Sequence, residues 1–129
     1  VLPARHAKSV AKHALEVLEF PYGLAATAKG NYHGTYQWAY PNGWAPLQYI
    51  AIKGMDNYGM KVDACRLARA YVDGLTRIFS RTHNLWEKYN VVEGNIRVVS
   101  EGKYEMPPMM GWTVGVYLYA LGYAEHCRQ

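Results

Sequence analysis

The stretch YQWAYPNGWAPLQY, Tyr36 to Tyr49, holds two tryptophans, three tyrosines, two prolines and two glutamines in fourteen residues, with no formal charge. A core segment has no use for Gln37, Asn42 and Gln48 interleaved with its rings, and a solvent loop has no use for the rings. Rings beside amide side chains are what a carbohydrate site needs. Pyranose C–H faces stack on Trp and Tyr, and sugar hydroxyls take fixed donors and acceptors from Gln and Asn. Composition alone leaves a second reading open, an aromatic loop packed over helix ends.

The segments on either side read as helices. Upstream, Ala7, Val10, Ala11, Ala14, Leu15 and Leu18 fall at three- and four-residue steps, which predicts a helix from about Arg5 to Phe20, ended by Pro21 and Gly23. Downstream, a second helix is expected from about Trp44 to Tyr58, with Leu47, Ile50, Ala51, Met55 and Tyr58 on one side. A third, from about Met60 to Arg81, carries Met60, Ala64, Leu67, Ala68, Tyr71, Val72, Leu75, Ile78 and Phe79 at helical spacing, with charges on the other face. In the long loop that follows, NIRVVS is a candidate short strand. The last helix, Gly111 to about Cys127, is apolar nearly all round, and such a helix is expected to be buried on all sides. Four helices cannot bury it so, and bundle connections are shorter than these loops. The expected class is therefore all-α: about four helices with long aromatic loops, forming one sector of a toroid of helices whose loops line a central funnel. The alternative is a self-contained four-helix domain.

Bulk properties narrow the function. The chain has 129 residues, half of them apolar, with 12 tyrosines and 4 tryptophans, which argues against disorder. The net charge of +4 comes from scattered Lys and Arg, a solvated surface rather than a nucleic-acid footprint. No apolar run is long enough for a membrane span. The start, VLPARHAKSVAKHA, lacks the apolar stretch of a signal peptide and an initiator methionine, so the chain is expected to be a processed form or a fragment. Cys65 and Cys127 are expected to be small buried hydrophobes rather than a disulfide, which leaves the compartment open. His6, His13, His33, His83 and His126 show no close metal-ligand spacing such as H-E-x-x-H. The methionines of EMPPMM read as loop packing or a sugar-facing wall rather than a soft-metal site, and KGNYHG is not a phosphate loop.

The residues also carry a resemblance. YQWAYPNGWAPLQYIAIKGMDNYG is similar to the second signature of the α,α-trehalase family of glycoside hydrolases, Q-W-D-x-P-N-x-W-x-P-x-Q, and matches it at Gln37, Trp38, Pro41, Asn42, Trp44, Pro46 and Gln48. GLAATAKGNYHGTYQW resembles the segment leading into that signature. LWEKYNV, Leu85 to Val91, resembles the family's EKYDV. EGKYEMPPMMGWTVGV, Glu101 to Val116, resembles GGEYxxQxGFGWTNGV.

The resemblance implies an (α/α)6 barrel much longer than this chain, of which residues 1–129 would be the C-terminal portion. It implies inverting hydrolysis of α,α-trehalose, or a related disaccharide, without metal or cofactor. The glutamate of EKYDV, the family's general base, maps onto Glu87. The general acid lies upstream, outside this chain, so the isolated chain is expected to be inactive. Gln37, Trp38, Trp44, Lys103, Met110 and Trp112 fall on the sugar site. The implied partners are the disaccharide and the remainder of the barrel. Several positions depart from the pattern. The signature aspartate is Ala39, the glutamate of GEY is Lys103, Met109 and Met110 replace a glycine and a ring, Pro108 replaces a polar residue, and Val114 replaces an asparagine. Two functions of different class follow: a trehalase-like hydrolase, or a catalytically weakened carbohydrate-binding or structural module.

Overall fold

A computed structural model describes residues 2–30, 36–108 and 111–127. Helix α1 (Ala4–Leu18) leads into two short antiparallel strands, β1 (Glu19–Phe20) and β2 (Gly23–Leu24). Strand β3 (Asn42–Trp44) runs straight into α2 (Ala45–Asn57), and a short turn leads to α3 (Lys61–Thr82). Strand β4 (Lys88–Asn90) and α4 (Gly111–His126) complete the order.

Each helix boundary has a local cause. Pro3 accepts the amides of His6 and Ala7 at the start of α1, and Pro21 stands just beyond its end. Pro46 sits in the first turn of α2, where its missing N–H costs nothing. Gly59, at φ 75°, supplies the left-handed residue that turns α2 into α3. His83, at φ 54°, closes α3 by donating its amide to the Phe79 carbonyl.

Helices α2, α3 and α4 pack on one another around a single core that includes Ile52, Leu67, Tyr71, Leu75 and Ala120. The face of α3 is the one its periodicity predicts, although Phe79 is exposed. The face of α2 is not. Its buried side is Ala45, Gln48, Ile52 and Met55, while Ile50 is exposed. The reason is Gln48. Its amide donates to the Leu24 carbonyl at 2.7 Å and accepts the Leu24 amide at 2.9 Å, so a polar residue joins α2 to β2 inside the core. Val10 of the predicted α1 stripe is also exposed, along an apolar groove of about 240 Å³ between α1 and α2.

The expectation that α4 is buried on all sides is met on one flank only. Thr113, Ala120 and Ala124 face α2 and α3, whereas Leu118 is 61% exposed. NIRVVS is not a strand. Its backbone makes one isolated bridge to β4, Asn90 to Asn95, and the Asn90 side chain donates to the Arg97 carbonyl. Strand pairing falls instead to β3 and β4, in the register Asn42–Asn90, Gly43–Tyr89 and Trp44–Lys88. The Asn42 side chain then takes the place of a further strand residue: its Oδ1 accepts the Val99 amide and its Nδ2 donates to the Val99 carbonyl. The cysteines also differ from expectation. Cys65 and Cys127 form a disulfide, with Cα atoms 6.1 Å apart. Because α4 runs antiparallel to α3, its last turn comes back beside the first turn of α3. The sequence separation of 62 does not reveal this.

Two stability effects are expected in urea unfolding. Cys65→Ser, or reduction, opens a loop of that length and lowers stability by about 4 kcal/mol on the chain-entropy model. Gln48→Leu leaves the Leu24 amide and carbonyl without their partner and costs about 2–4 kcal/mol. A midpoint unmoved by either change contradicts the packing described here.

Candidate active site

The loop before β3 is organised around the Gln37 carbonyl. It accepts the Trp44 indole N–H at 3.0 Å and the Asn42 side-chain amide at 3.0 Å. These bonds draw the loop back over the strand. Trp38 then lies flat on Trp44, with ring centroids 3.8 Å apart and planes 4° apart. Trp112, at the start of α4, meets Trp44 edge-on at 5.9 Å. Trp44 is buried, while Trp38 is 50% exposed and Trp112 37% exposed. The result is an aromatic platform with a fixed centre and two open rings. Offset or flat ring faces of this kind present the apolar surface on which a sugar's C–H face can stack.

Strand β4 brings the acidic group to this platform. Pairing of Trp44 with Lys88 places Glu87 one residue beyond the ladder, where its amide donates to the Pro107 carbonyl at 3.2 Å. Trp86 bridges to Pro108, and its carbonyl accepts the Thr113 hydroxyl at 2.7 Å, which fixes the start of α4 on the same side. Glu87 is only 8% exposed. The Lys88 Nζ lies 3.0 Å from Glu87 Oε2 and 3.3 Å from Gln37 Oε1. It also stands over the rings of Trp44, at 5.2 Å, and Tyr104, at 4.5 Å. The Tyr104 hydroxyl donates to Glu87 Oε1 at 2.6 Å. That hydrogen bond, then burial and the carboxylate's charge, hold Tyr104 above the ordinary tyrosine pKa, since losing the proton would set two anions face to face.

Five residues singled out from the sequence thus meet: Glu87, Gln37, Trp38, Trp44 and Trp112. Lys103 is exposed on the turn before Tyr104, and among the described residues no hydrogen bond or ion pair reaches its side chain. Met110 lies outside the described residues, as does His33. Ala39, at the signature aspartate, is buried, and its carbonyl accepts the Asn42 amide at 2.9 Å. Sequence reasoning missed Lys88 and Tyr104. Each adjoins a residue that was singled out, but nothing in a one-dimensional pattern says that a lysine beside a glutamate turns inward. Cavities of about 480 and 240 Å³ lie elsewhere, the first at the far ends of α2, α3 and α4, beside the disulfide. The platform and the carboxylate form one wall rather than an enclosed pocket.

The family model described as Trehalase matches residues 3–125. The chain is 38% identical over 116 residues to a periplasmic trehalase of Xanthomonas oryzae pv. oryzae, and 37% identical over 116 residues to one of Xanthomonas axonopodis pv. citri. Each alignment covers 90% of this chain and 20% of the relative, so the chain spans about a fifth of those proteins' length. Among solved structures, the neutral trehalase of Saccharomyces cerevisiae superposes with a TM-score of 0.77 at 31% identity, covering 95% of this chain and 21% of that one. With the signature residues gathered on one wall and four helices that follow a trehalase backbone, the chain belongs to the trehalase family, and its fold is that of part of an (α/α)6 barrel.

Proposed function

We propose that this chain supplies one wall of the active site of a trehalase-like inverting glycoside hydrolase acting on α,α-trehalose or a related disaccharide. The observation that carries the reading is the position of Glu87. A buried carboxylate, brought from a separate segment by the β3–β4 ladder, is joined through the Lys88 ammonium to Trp44, the ring that the two open tryptophans contact. In such an enzyme a carboxylate takes a proton from water as the water attacks the anomeric carbon. A carboxylic acid about 6.5–9.5 Å away protonates the leaving oxygen. Glu87 is the first of these groups, the general base. The acid comes from the remainder of the barrel, as a second wall, and the 129 residues alone are inactive. Trp38 and Trp112 stack on the sugar, with Trp44 beneath them. Gln37 offers its amide, and Lys103 and Met110 belong to the flanking wall.

One observation favours a second reading, a sugar-binding relative of reduced activity. Ala39 offers a buried methyl where the family signature has an aspartate, so an acceptor for sugar hydroxyls is absent there. Losing such a partner costs binding on the order of 1–3 kcal/mol.

The test is a complete barrel made by exchanging the matching segment of the Xanthomonas oryzae trehalase for this chain. Glucose release from trehalose is expected, and Glu87→Gln is expected to lower turnover about 10²–10⁴-fold, the usual contribution of a general base. Turnover close to the parent's in Glu87→Gln removes the base assignment. Tryptophan fluorescence that responds to trehalose, without glucose release, selects the second reading.

A further inference from the structure

We propose that Lys88 and Tyr104 are positioning residues that hold the Glu87 carboxylate, one on each oxygen. The inference rests on Glu87 being the base. The Lys88 side chain is fully buried. A desolvated ammonium is costly, and an ion pair in that position is seldom more stable than a well-packed apolar residue of the same size. Stability is therefore a weak reason for a charge at this place, and its geometry supplies a better one. Of the three protons on Nζ, one points to Glu87 Oε2 and one to Gln37 Oε1, and the ammonium sits over the faces of Trp44 and Tyr104. The same atom thus fixes the carboxylate, the amide and the central ring of the platform.

Adjacent residues of an extended chain point to opposite faces, so Glu87 and Lys88 do not meet by default. They meet because the Lys88 ammonium, held over the ring of Trp44, its partner across the ladder, also reaches Glu87 Oε2. On the other oxygen the Tyr104 hydroxyl donates to Glu87 Oε1. A carboxylate oxygen accepts two hydrogen bonds. With Lys88 on Oε2 and Tyr104 on Oε1, the carboxylate plane is held at both oxygens, and each keeps one acceptor direction with which it can take a proton from water. Tyr104 comes from a separate segment, and Lys88 is itself tied to Gln37 and to the Trp44 ring, so the base is in register only when both contacts are in place.

Two measurements test this. In the 129-residue chain, the Lys88 ammonium is expected to give an ¹⁵N-resolved NMR signal that persists at neutral pH, because its protons are shielded from exchange, and to lose it in Glu87→Gln. A signal that is absent in the parent, or unchanged in Glu87→Gln, overturns the contact. In the exchanged barrel, Lys88→Met is expected to lower kcat about 10–100-fold, as loss of an orienting group does, with KM changed less than threefold. Tyr104→Phe removes one hydroxyl from a partly exposed ring, should leave the fold intact, and is expected to lower kcat about 10-fold by the same reasoning. In the Glu87→Gln background neither change should add a further loss, whereas a purely structural role would add the same loss again. If Lys88→Met does not fold, Tyr104→Phe decides. Parent kcat in Tyr104→Phe, or equal losses in both backgrounds, overturns the proposal, while an active Glu87→Gln overturns the base assignment beneath it.

Discussion

The three-residue ladder between β3 and β4 is the constraint on which the rest depends. It pairs Asn42, Gly43 and Trp44 with Asn90, Tyr89 and Lys88, all of them buried. A slip of one residue would turn Trp44 and Lys88 to opposite faces and separate the platform from the carboxylate. Several neighbours hold the register. A Cβ at Gly43 would collide with the Val91 side chain, so only glycine fits between the strands. Pro41 accepts the Val91 amide just outside the ladder. Tyr89 reaches through the core to donate to the Tyr22 carbonyl at 2.7 Å, which ties the ladder to the turn between β1 and β2. So short a pairing has little stability of its own and stands because helices cover it.

Around this centre the chain is satisfied in its polar groups and unsatisfied in its apolar ones. Among the described residues, no buried side-chain nitrogen or oxygen lacks a partner. Yet Val10, Ile50, Val62 and Leu118 are exposed on helix faces, and an open apolar groove runs between α1 and α2. The polar interior is that of a finished protein, whereas apolar faces of this kind are what helices present to further helices. The chain covers about a fifth of the length of its trehalase relatives, and α4 buries Thr113, Ala120 and Ala124 while leaving Leu118 exposed.

What the sequence made legible follows from the length of each signal. Helix α3 carries its apolar stripe for five turns, and both its limits and its buried face are readable. Helix α2 was placed correctly but turned wrongly, because Gln48 occupies the middle of its buried face and Ile50 its exposed one. Apolar periodicity cannot rank a glutamine above an isoleucine unless the backbone groups it will satisfy are known, and these belong to Leu24, in another element. Strands of two or three residues are too short to show a period of two, so both sheets were missed, and the longer NIRVVS run drew the assignment that belonged to Lys88–Asn90. The disulfide and the inward turn of Lys88 are tertiary facts with no local trace. The candidate site residues come from the family motif, and the chemistry proposed for them from the residue types.

The motif residues that match and those that differ separate along a physical line. Asn42 holds the Gln37 and Val99 carbonyls, Trp44 holds the Gln37 carbonyl, Gln48 holds Leu24, and Pro41 holds Val91. These positions build the loop and would be needed whatever the loop touches. Ala39, Lys103 and Val114, which depart from the pattern, accept or donate no side-chain bond that holds this frame together. A match to the signature is therefore evidence about the scaffold first, and about a substrate only through the groups the scaffold aims. The group held most closely by that frame is Glu87, whose carboxylate is engaged by Lys88, the next residue of the chain, and by Tyr104 from the loop that follows.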